Sequence, residues 1–390
     1  MNEDQMNIPN LFKCPISLDL FQDPVTLCTG QTYDRSNIEK WLSAGNLTCP
    51  VTMQKLHDLS LVPNHTLQHL IHHWLCMDNK FHHEKNPILF DPNLSISVLK
   101  HNIESQNSSF PTRMEALQKI RILSQEWRRS YLVKQGFFPI LLQILFKKQS
   151  LLQRENLEIA EQTLHCVLNL LPFSDIECLN ILKESSHFGS FLVLLQQGNM
   201  KIKVNLCYLT GAIASSLKTK ELCLLLGKSQ CFWRGMISLL YNNNETSEAA
   251  NKAISSLCSL KSNRDNFIKE GGVDGLLSYL LNSSSRRNQE SVALATLEML
   301  LESDKARDQL VCNPKGIHIL VKFVFGVSFD QTASESAVSS LLNICSESVN
   351  VRDEAISAGV LTQLLLLLQS QCSSRGKNKA RVLLKLLRSI

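Results

Sequence analysis

The chain has 390 residues, 44% of them apolar and 19% charged, with a formal net charge of +5. That length accommodates two or more domains with a substantial core, and the absence of a dense Lys/Arg block leaves no electrostatic footprint for nucleic acid. The polar, acidic opening Met1–Asn7 lacks the apolar core of a signal peptide, and the most apolar run, Leu364–Leu368, is far too short for a membrane span. Thirteen scattered cysteines without a close-set framework are expected to be reduced, buried thiols of a cytoplasmic protein, with a nuclear location left open.

The first region, residues 8–76, is punctuated by turn residues. It runs through Phe12-Lys13-Cys14-Pro15-Ile16-Ser17-Leu18-Asp19-Leu20, Asp23-Pro24-Val25-Thr26 and Gly30-Gln31-Thr32-Tyr33-Asp34-Arg35. Then come Ile38-Glu39-Lys40-Trp41-Leu42, Cys49-Pro50-Val51-Thr52 and Val62-Pro63-Asn64-His65. A helix is predicted from about Ser36, its expected N-cap. The pattern suggests a cross-braced module, yet Cys14, Cys28, Cys49 and Cys76 never pair at C-x-x-C spacing. A two-zinc brace needs eight Cys/His ligands, so none is expected. His69, His72 and His73, with His82-His83 beyond, lack a nearby Cys or acidic pair and are expected to be solvated. Val25, Ile38, Leu20 and Leu42 are expected core.

Residues 77–111, rich in Asn, Ser and His and containing Pro87 and Pro92, are expected to form a linker with at most one short helix. Residues 112–390 are Leu-rich and helical in period. A small residue is followed by apolar residues four and seven later in Ala116/Ile120/Leu123, Ala160/Leu164/Val167, Asn205/Leu209/Ala212, Ala253/Leu257/Leu260, Ala293/Leu297/Leu300, Ala337/Leu341/Ile344 and Ala380/Leu384/Leu387. The steps are 44, 45, 48, 40, 44 and 43 residues. Such spacing lines one helix face, and Asn205 departs from the small-residue rule. Arg129, Arg264 and Arg352 each precede a glycine (Gly136, Gly271, Gly359) by seven residues, with Arg307 and Gly316 a looser version. These glycines suit a left-handed helix C-cap. Each period is predicted to be a short helix, a sharp turn and two longer helices, in about six units with partial ends. Units that cannot bury their apolar faces alone stack into a solenoid. Arg128-Arg129 and Arg286-Arg287 are expected helix-end or loop charges, and no phosphate-binding G-x-x-x-x-G-K-[ST] loop occurs.

Taken in order, the motifs of the first region resemble the U-box, a zinc-free relative of the RING domain, and the repeats resemble armadillo units. The combination resembles the shorter plant U-box ubiquitin ligases, associated with stress, hormone and defence signalling. The fold implied is mainly α, a small α+β U-box followed by an armadillo α-solenoid. The resemblance implies that side-chain hydrogen bonds replace the metals, here through Ser17, Asp19, Thr29, Thr32, Tyr33, Asp34, Arg35, Thr52 and Asn64. It implies an apolar groove for a ubiquitin-conjugating enzyme made by Ile16, Leu18, Trp41 and Pro50, with Val51 adjoining.

No covalent intermediate, cofactor or metal is implied. The partners are the conjugating enzyme, ubiquitin and protein substrates, with homodimer formation left open. RING-type ligases commonly place a ubiquitin-clamping basic residue after the second loop, where this chain has Met53, Gln54 and Lys55. Armadillo families clamp extended peptides with third-helix asparagines, and Asn169 and Asn343 are the candidates here. Sparse asparagines argue against the nuclear-transport alternative. The main alternative is a non-catalytic armadillo adaptor with a degenerate U-box.

Overall fold

The computed structural model describes residues 9–68, 70–71, 92–105, 107–125, 129–147, 154–242, 245–282, 290–325 and 331–388. His69, His72, His73, His82, His83, Arg128, Arg286 and Arg287 lie outside them. The chain divides into two compact units, Met1–Ser95 and Ile96–Ile390.

In the first unit, strands β1 (Pro24–Thr26), β2 (Thr32–Asp34) and β3 (Val62–Pro63) form an antiparallel sheet of order β2-β1-β3. Val25 pairs with both Tyr33 and Pro63. Helix α1 (Arg35–Ser43) follows β2 directly. Phe12, Phe21, Val25, Tyr33, Ile38 and Leu56 are buried between these elements, while Leu20 and Leu42 sit at the margin of that core.

The second unit is all helix among its described residues. Seven long helices, α3 (Phe110–Gln125), α6 (Arg154–Leu170), α8 (Met200–Ser215), α11 (Glu245–Cys258), α14 (Glu290–Leu300), α17 (Gln331–Glu347) and α20 (Ser374–Arg388), each pack on the next. They carry the seven small-residue phrases. A short and a medium helix separate neighbours: α4 (Arg129–Lys134) with α5 (Phe137–Phe146), α9 (Lys220–Lys228) with α10 (Gln230–Leu240), and α12 (Lys261–Lys269) with α13 (Gly272–Asn282). Further on come α15 (Asp304–Cys312) with α16 (Gly316–Val324), and α18 (Val349–Ser357) with α19 (Val360–Gln369). Between α6 and α8 the short helix is a 3-10 segment, Ile176–Lys183, before α7 (Ser185–Gln197). Six complete triplets thus follow a leading pair, α2 (Pro92–Glu104) and α3. Leu99 and Ile103 of α2 are buried in the solenoid core, so the segment expected as linker ends in a helix that belongs to the repeats.

The repeated arginine has a structural purpose. Arg129 Nε donates to the Ser124 carbonyl at 2.7 Å, Arg264 Nε to Cys258 at 2.8 Å, Arg307 Nη1 to Leu301 at 2.7 Å and Arg352 Nε to Cys345 at 2.7 Å. Each closes an open carbonyl at the C-terminus of the preceding long helix, where a cation is also favoured by the helix dipole. These carbonyls stand eight residues after Ala116, Ala293 and Ala337, and eight after Ala250. The fourth phrase therefore begins at Ala250, with Ile254 and Leu257 completing it, all fully buried, one turn earlier than its sequence reading at Ala253.

Gly136, Gly271 and Gly359 have φ of 75°, 89° and 89°, as a left-handed cap requires. Gly316 is a different case. Its backbone is not left-handed, and an added Cβ would stand 2.2 Å from the Leu310 carbonyl oxygen, so there the need is close approach.

The middle units are cross-tied by rings in sequence, Phe146, Phe191, Phe232, Trp233 and Phe267, with centroids 4.9–6.2 Å apart. Trp233 Nε1 donates to the Gly227 carbonyl at 2.8 Å, and buried Asn263 donates to the Leu257 carbonyl at 3.0 Å. A Cβ on Gly227 would lie 2.0 Å from Asn263 Oδ1. Gly227→Ala is expected to destabilise the solenoid by about 1–3 kcal/mol, read as a lower urea midpoint by far-ultraviolet circular dichroism. An unchanged midpoint would show that α9 and α12 are not in this close contact.

Candidate docking surface of the first unit

Two loops of the first unit are built alike. In Cys14-Pro15-Ile16-Ser17-Leu18, Leu18 N–H donates to the Cys14 carbonyl and Cys14 N–H to that of Asp19, both at 2.8 Å. In Cys49-Pro50-Val51-Thr52-Met53, Met53 N–H donates to the Cys49 carbonyl and Cys49 N–H to that of Gln54, both at 2.9 Å. One more rung closes each loop, Phe21 N–H to Phe12 and Leu56 N–H to Leu47. Proline sets the second residue of each loop in a turn-ready φ. The fifth residues, Leu18 and Met53, take left-handed φ of 62° and 57°, a conformation that costs a non-glycine residue about 1–3 kcal/mol.

This geometry turns apolar side chains outward. Leu18 and Met53 are each 69% exposed, Val51 50% and Ile16 38%. Pro50 and Trp41 are half-buried. Trp41 Nε1 donates to the Thr48 carbonyl at 2.8 Å, and Asn46 Nδ2 to the Trp41 carbonyl at 3.1 Å. The tryptophan therefore fastens α1 to the second loop as well as flooring the surface. Met53 is a further exposed apolar residue of the second loop, which the sequence reading considered solely as a missing cation. The repeat of C-P-[IV]-[ST]-[LM] at Cys14–Leu18 and Cys49–Met53 was the available signal.

Behind the loops lies a polar scaffold centred on Asp34. Its Oδ2 accepts the N–H groups of Gln22 at 2.7 Å and Asp23 at 3.1 Å, and its Oδ1 accepts Ser36 Oγ at 3.1 Å. Arg35 Nε donates to Asp23 Oδ2 at 2.6 Å. Asn64 Nδ2 donates to Thr32 Oγ1 at 3.0 Å, Thr32 and Thr26 hydroxyls share a bond, and Asn64 Oδ1 receives Leu67 N–H, starting the helical turn at His65. Two expectations are corrected. Asp34, not Ser36, is the N-cap of α1, because Asp34 ends β2 and the helix begins at once. Asp19 is exposed and joins through its backbone, its carbonyl taking Cys14 N–H, so its carboxylate is outside the scaffold.

The two loop cysteines are buried completely and hydrogen-bonded. Asp34 N–H lies 3.3 Å and Asn37 Nδ2 3.7 Å from Cys14 Sγ. Val51 N–H donates to the Tyr33 hydroxyl at 3.1 Å, and that hydroxyl shares a hydrogen bond with Cys49 Sγ at 3.0 Å. Burial raises the Cys49 thiol, but the hydroxyls around it, with Tyr33 the one in hydrogen-bonding geometry, more than offset it and bring it down to about 6. Desolvation and the neighbouring sulfur push Tyr33 well above the usual phenol range. Hydroxyls and amides thus surround each sulfur. No cluster of three or more His, Cys, Asp or Glu able to hold a metal occurs among the described residues.

Burial raises the Asp34 carboxyl, but the amides of Gln22 and Asp23 and the Ser36 hydroxyl outweigh it and hold it below its ordinary range. A depressed carboxylate stabilises the fold above its unfolded value, about 3.9, and that stability drains as pH falls through the folded value. The first unit is expected to loosen below about pH 4, measured as proteolytic cleavage within residues 9–71 while the solenoid stays intact. Resistance down to pH 2 would contradict this.

The solenoid candidates are far apart. Asn169 on α6 donates to Ser124 Oγ at 3.1 Å and contacts His165 Nδ1 at 3.2 Å, whereas Asn343 lies half-buried on α17. Three other long helices of the stack, α8, α11 and α14, stand between them, so they form no joint ladder.

Paired loops on a polar scaffold, followed by stacked three-helix units, define a U-box joined to an armadillo solenoid. Residues 8–80 match the U-box domain family, and residues 95–389 match the plant U-box protein ARM repeat region. The chain belongs to the plant U-box proteins with armadillo repeats. It is 35% identical to U-box domain-containing protein 26 of Arabidopsis thaliana, the alignment covering 98% of this chain and 92% of that one. It is 28% identical to E3 ubiquitin-protein ligase PUB23 of the same plant, with coverage of 98% and 93%. In fold it is similar to a chain solved in work on the interaction between cadherin and beta-catenin, with a TM-score of 0.61 at 14% identity, covering 85% of this chain and 58% of that one.

Proposed function

We propose that this protein is a ubiquitin ligase whose U-box docks a ubiquitin-charged conjugating enzyme and whose repeats hold the substrate. The observation that carries the reading is the set of apolar side chains Ile16, Leu18, Val51 and Met53, exposed on two like-built loops held by backbone hydrogen bonds. Leaving four apolar side chains in water on a strained backbone gives nothing to the unit itself, and it suits a compact apolar anchor set with a polar rim. Relatives named as E3 ubiquitin-protein ligases support the same reading.

The chemistry is positional. A thiol relay needs a nucleophile open to the incoming thioester, and the two cysteines of the docking loops, Cys14 and Cys49, are fully buried, with Cys28 half-buried; the exposed Cys231 and Cys312 belong to the solenoid. The ligase instead holds the charged enzyme and a substrate lysine together, which replaces an encounter in solution by an oriented pair. Lys55, exposed two residues after Met53, is the cation at hand to steady ubiquitin. The test is reconstitution with activating enzyme, a panel of conjugating enzymes and ubiquitin. Self-ubiquitination with at least one of them is expected, and none with any would favour the adaptor reading.

A further inference from the structure

The triplet α18, α19 and α20 has a side on which no further helix packs among the described residues. The inner units show what such a side holds. Gly136, Gly271 and Gly359 precede their medium helices in the same left-handed turn, so positions counted from them are comparable. The sixth residue after each is a leucine. Leu142 and Leu277 are fully buried, and their helices, α5 and α13, pack on the medium helices of the next units, α7 and α16. Leu365 has no such cover and is 46% exposed. The long helices repeat the contrast. Val338 and Ser339 of α17 are buried, and Ser339 Oγ accepts Lys379 of α20. The positions 43 residues on, Arg381 and Val382 of α20, are exposed.

The cations gather on this side. Helix α20 carries Arg375, Lys377, Lys379, Arg381, Lys385 and Arg388 and no acid. Two of them turn back into the stack, Arg375 to Glu335 at 2.9 Å and Lys379 to Glu298 and Glu335 at 3.4 and 3.5 Å. Arg381, Lys385 and Arg388, spaced by four and three, share an exposed helix face. None of these three forms an ion pair among the described residues, and α19 carries no charge to answer them. The end of a solenoid needs a polar outer face, and the helix dipole favours cations in a last turn. Neither reason keeps Leu365, Leu366 and Val382 in water, and the dipole does not reach Arg381.

We propose that this end of the solenoid docks an amphipathic helix of a partner protein, with its apolar stripe on Leu365 and Val382 and its flanking Asp or Glu side chains on Arg381, Lys385 and Arg388. The form of the occupant follows from the inner units, where helices of the next unit cover the same positions. Its charge follows from three exposed cations that have no acid of their own. A second copy of this chain is a poor occupant, because end-to-end stacking would set the same cations of both copies against one another. The surface goes beyond the ligase reading, since it needs no ubiquitin chemistry.

The test pans a display library of helices about 18 residues long on the full-length protein. Leucines are fixed along one face, and Glu, Lys, Gln or Ala is free at the flanking positions. The expected outcome is enrichment of Glu over Lys at the flanks. By fluorescence anisotropy, the double variant Arg381→Glu with Lys385→Glu should bind the enriched peptide about tenfold or more weakly, with unchanged melting. Leu365→Asp should give a similar loss. A peptide with Lys in place of its Glu residues should regain affinity for the double variant, which a disturbed fold could not do. No enrichment, enrichment without an acid, or full affinity of either variant would overturn the proposal. If phosphatidylserine vesicles sediment the wild type but not the double variant, and no helix is enriched, the surface is a membrane one and the proposal falls. Self-ubiquitination is run alongside and is expected to be the same for wild type and the double variant. If acid-selective helix binding is found without any ubiquitin transfer, the surface stands and the ligase reading falls. Transfer without acid-selective helix binding removes the surface alone.

Discussion

Replacing Ile16 with aspartate is expected to cut ubiquitin transfer at least a hundredfold while leaving the protein folded. The side chain is 38% exposed, and its loop is closed by backbone bonds from Leu18 to Cys14 and from Cys14 to Asp19. Nothing in the unit's own core depends on it. In a complex the same position would be desolvated among apolar groups. Hot-spot truncations cost about 2 kcal/mol or more, and a carboxylate buried without a partner costs more than a truncation. The check is transfer by Ile16→Asp beside its melting temperature, with the conjugating enzyme far below saturation. Wild-type transfer, or loss accompanied by a collapsed melting temperature, would contradict it. Trp41→Ala is a poorer probe. It removes surface and also the Nε1 bond to Thr48, so lost activity would mix docking with distortion of the second loop.

The second large effect is on the scaffold. Asp34→Ala is expected to unfold the U-box and leave the solenoid folded. It strips the Gln22 and Asp23 amides and the Ser36 hydroxyl of their shared acceptor. Hydrogen bonds to a charged group are worth about 1.5–3 kcal/mol each, and the orphaned donors add to the loss. A domain of this size has only a few kcal/mol to lose. Far-ultraviolet circular dichroism should keep most of its helical signal, because all but a few turns of helix are in the second unit, while limited proteolysis cuts rapidly within residues 9–71. A protease-resistant U-box in Asp34→Ala would place the stabilising weight elsewhere.

Much of this was legible in the sequence, for physical reasons. A helix that must pack on both neighbours carries small and apolar residues at fixed offsets, so seven phrases marked seven long helices. A long helix whose end needs a donor, and the short helix after it whose end needs a left-handed residue, left Arg129 with Gly136, Arg264 with Gly271, and Arg352 with Gly359. The fourth phrase slipped one turn because α11 offers Ala249, Ala250 and Ala253, all buried, and composition cannot choose among them. Gly316 followed the motif's form but answers to the Leu310 carbonyl.

Local motifs also located the two U-box loops. They did not show that Leu18 and Met53 would be left-handed, since that follows from closing each loop onto its own base. Asp19 was misplaced because a carboxylate beside a turn resembles Asp34 in sequence and differs from it in burial. The end surface of the solenoid was not legible at all. Leu365 has the same place after its glycine as Leu142 and Leu277, and only the stacking leaves it uncovered.

The most direct measurement is single-turnover discharge of ubiquitin from a charged conjugating enzyme to free lysine, with the full-length protein, in the presence of a strong zinc chelator. Wild type should accelerate discharge equally with and without chelator, and Ile16→Asp, equally well folded, should not. Acceleration that vanishes with the chelator, or survives in Ile16→Asp, would mean that a hydrogen-bonded scaffold presenting this apolar face is not how the protein works.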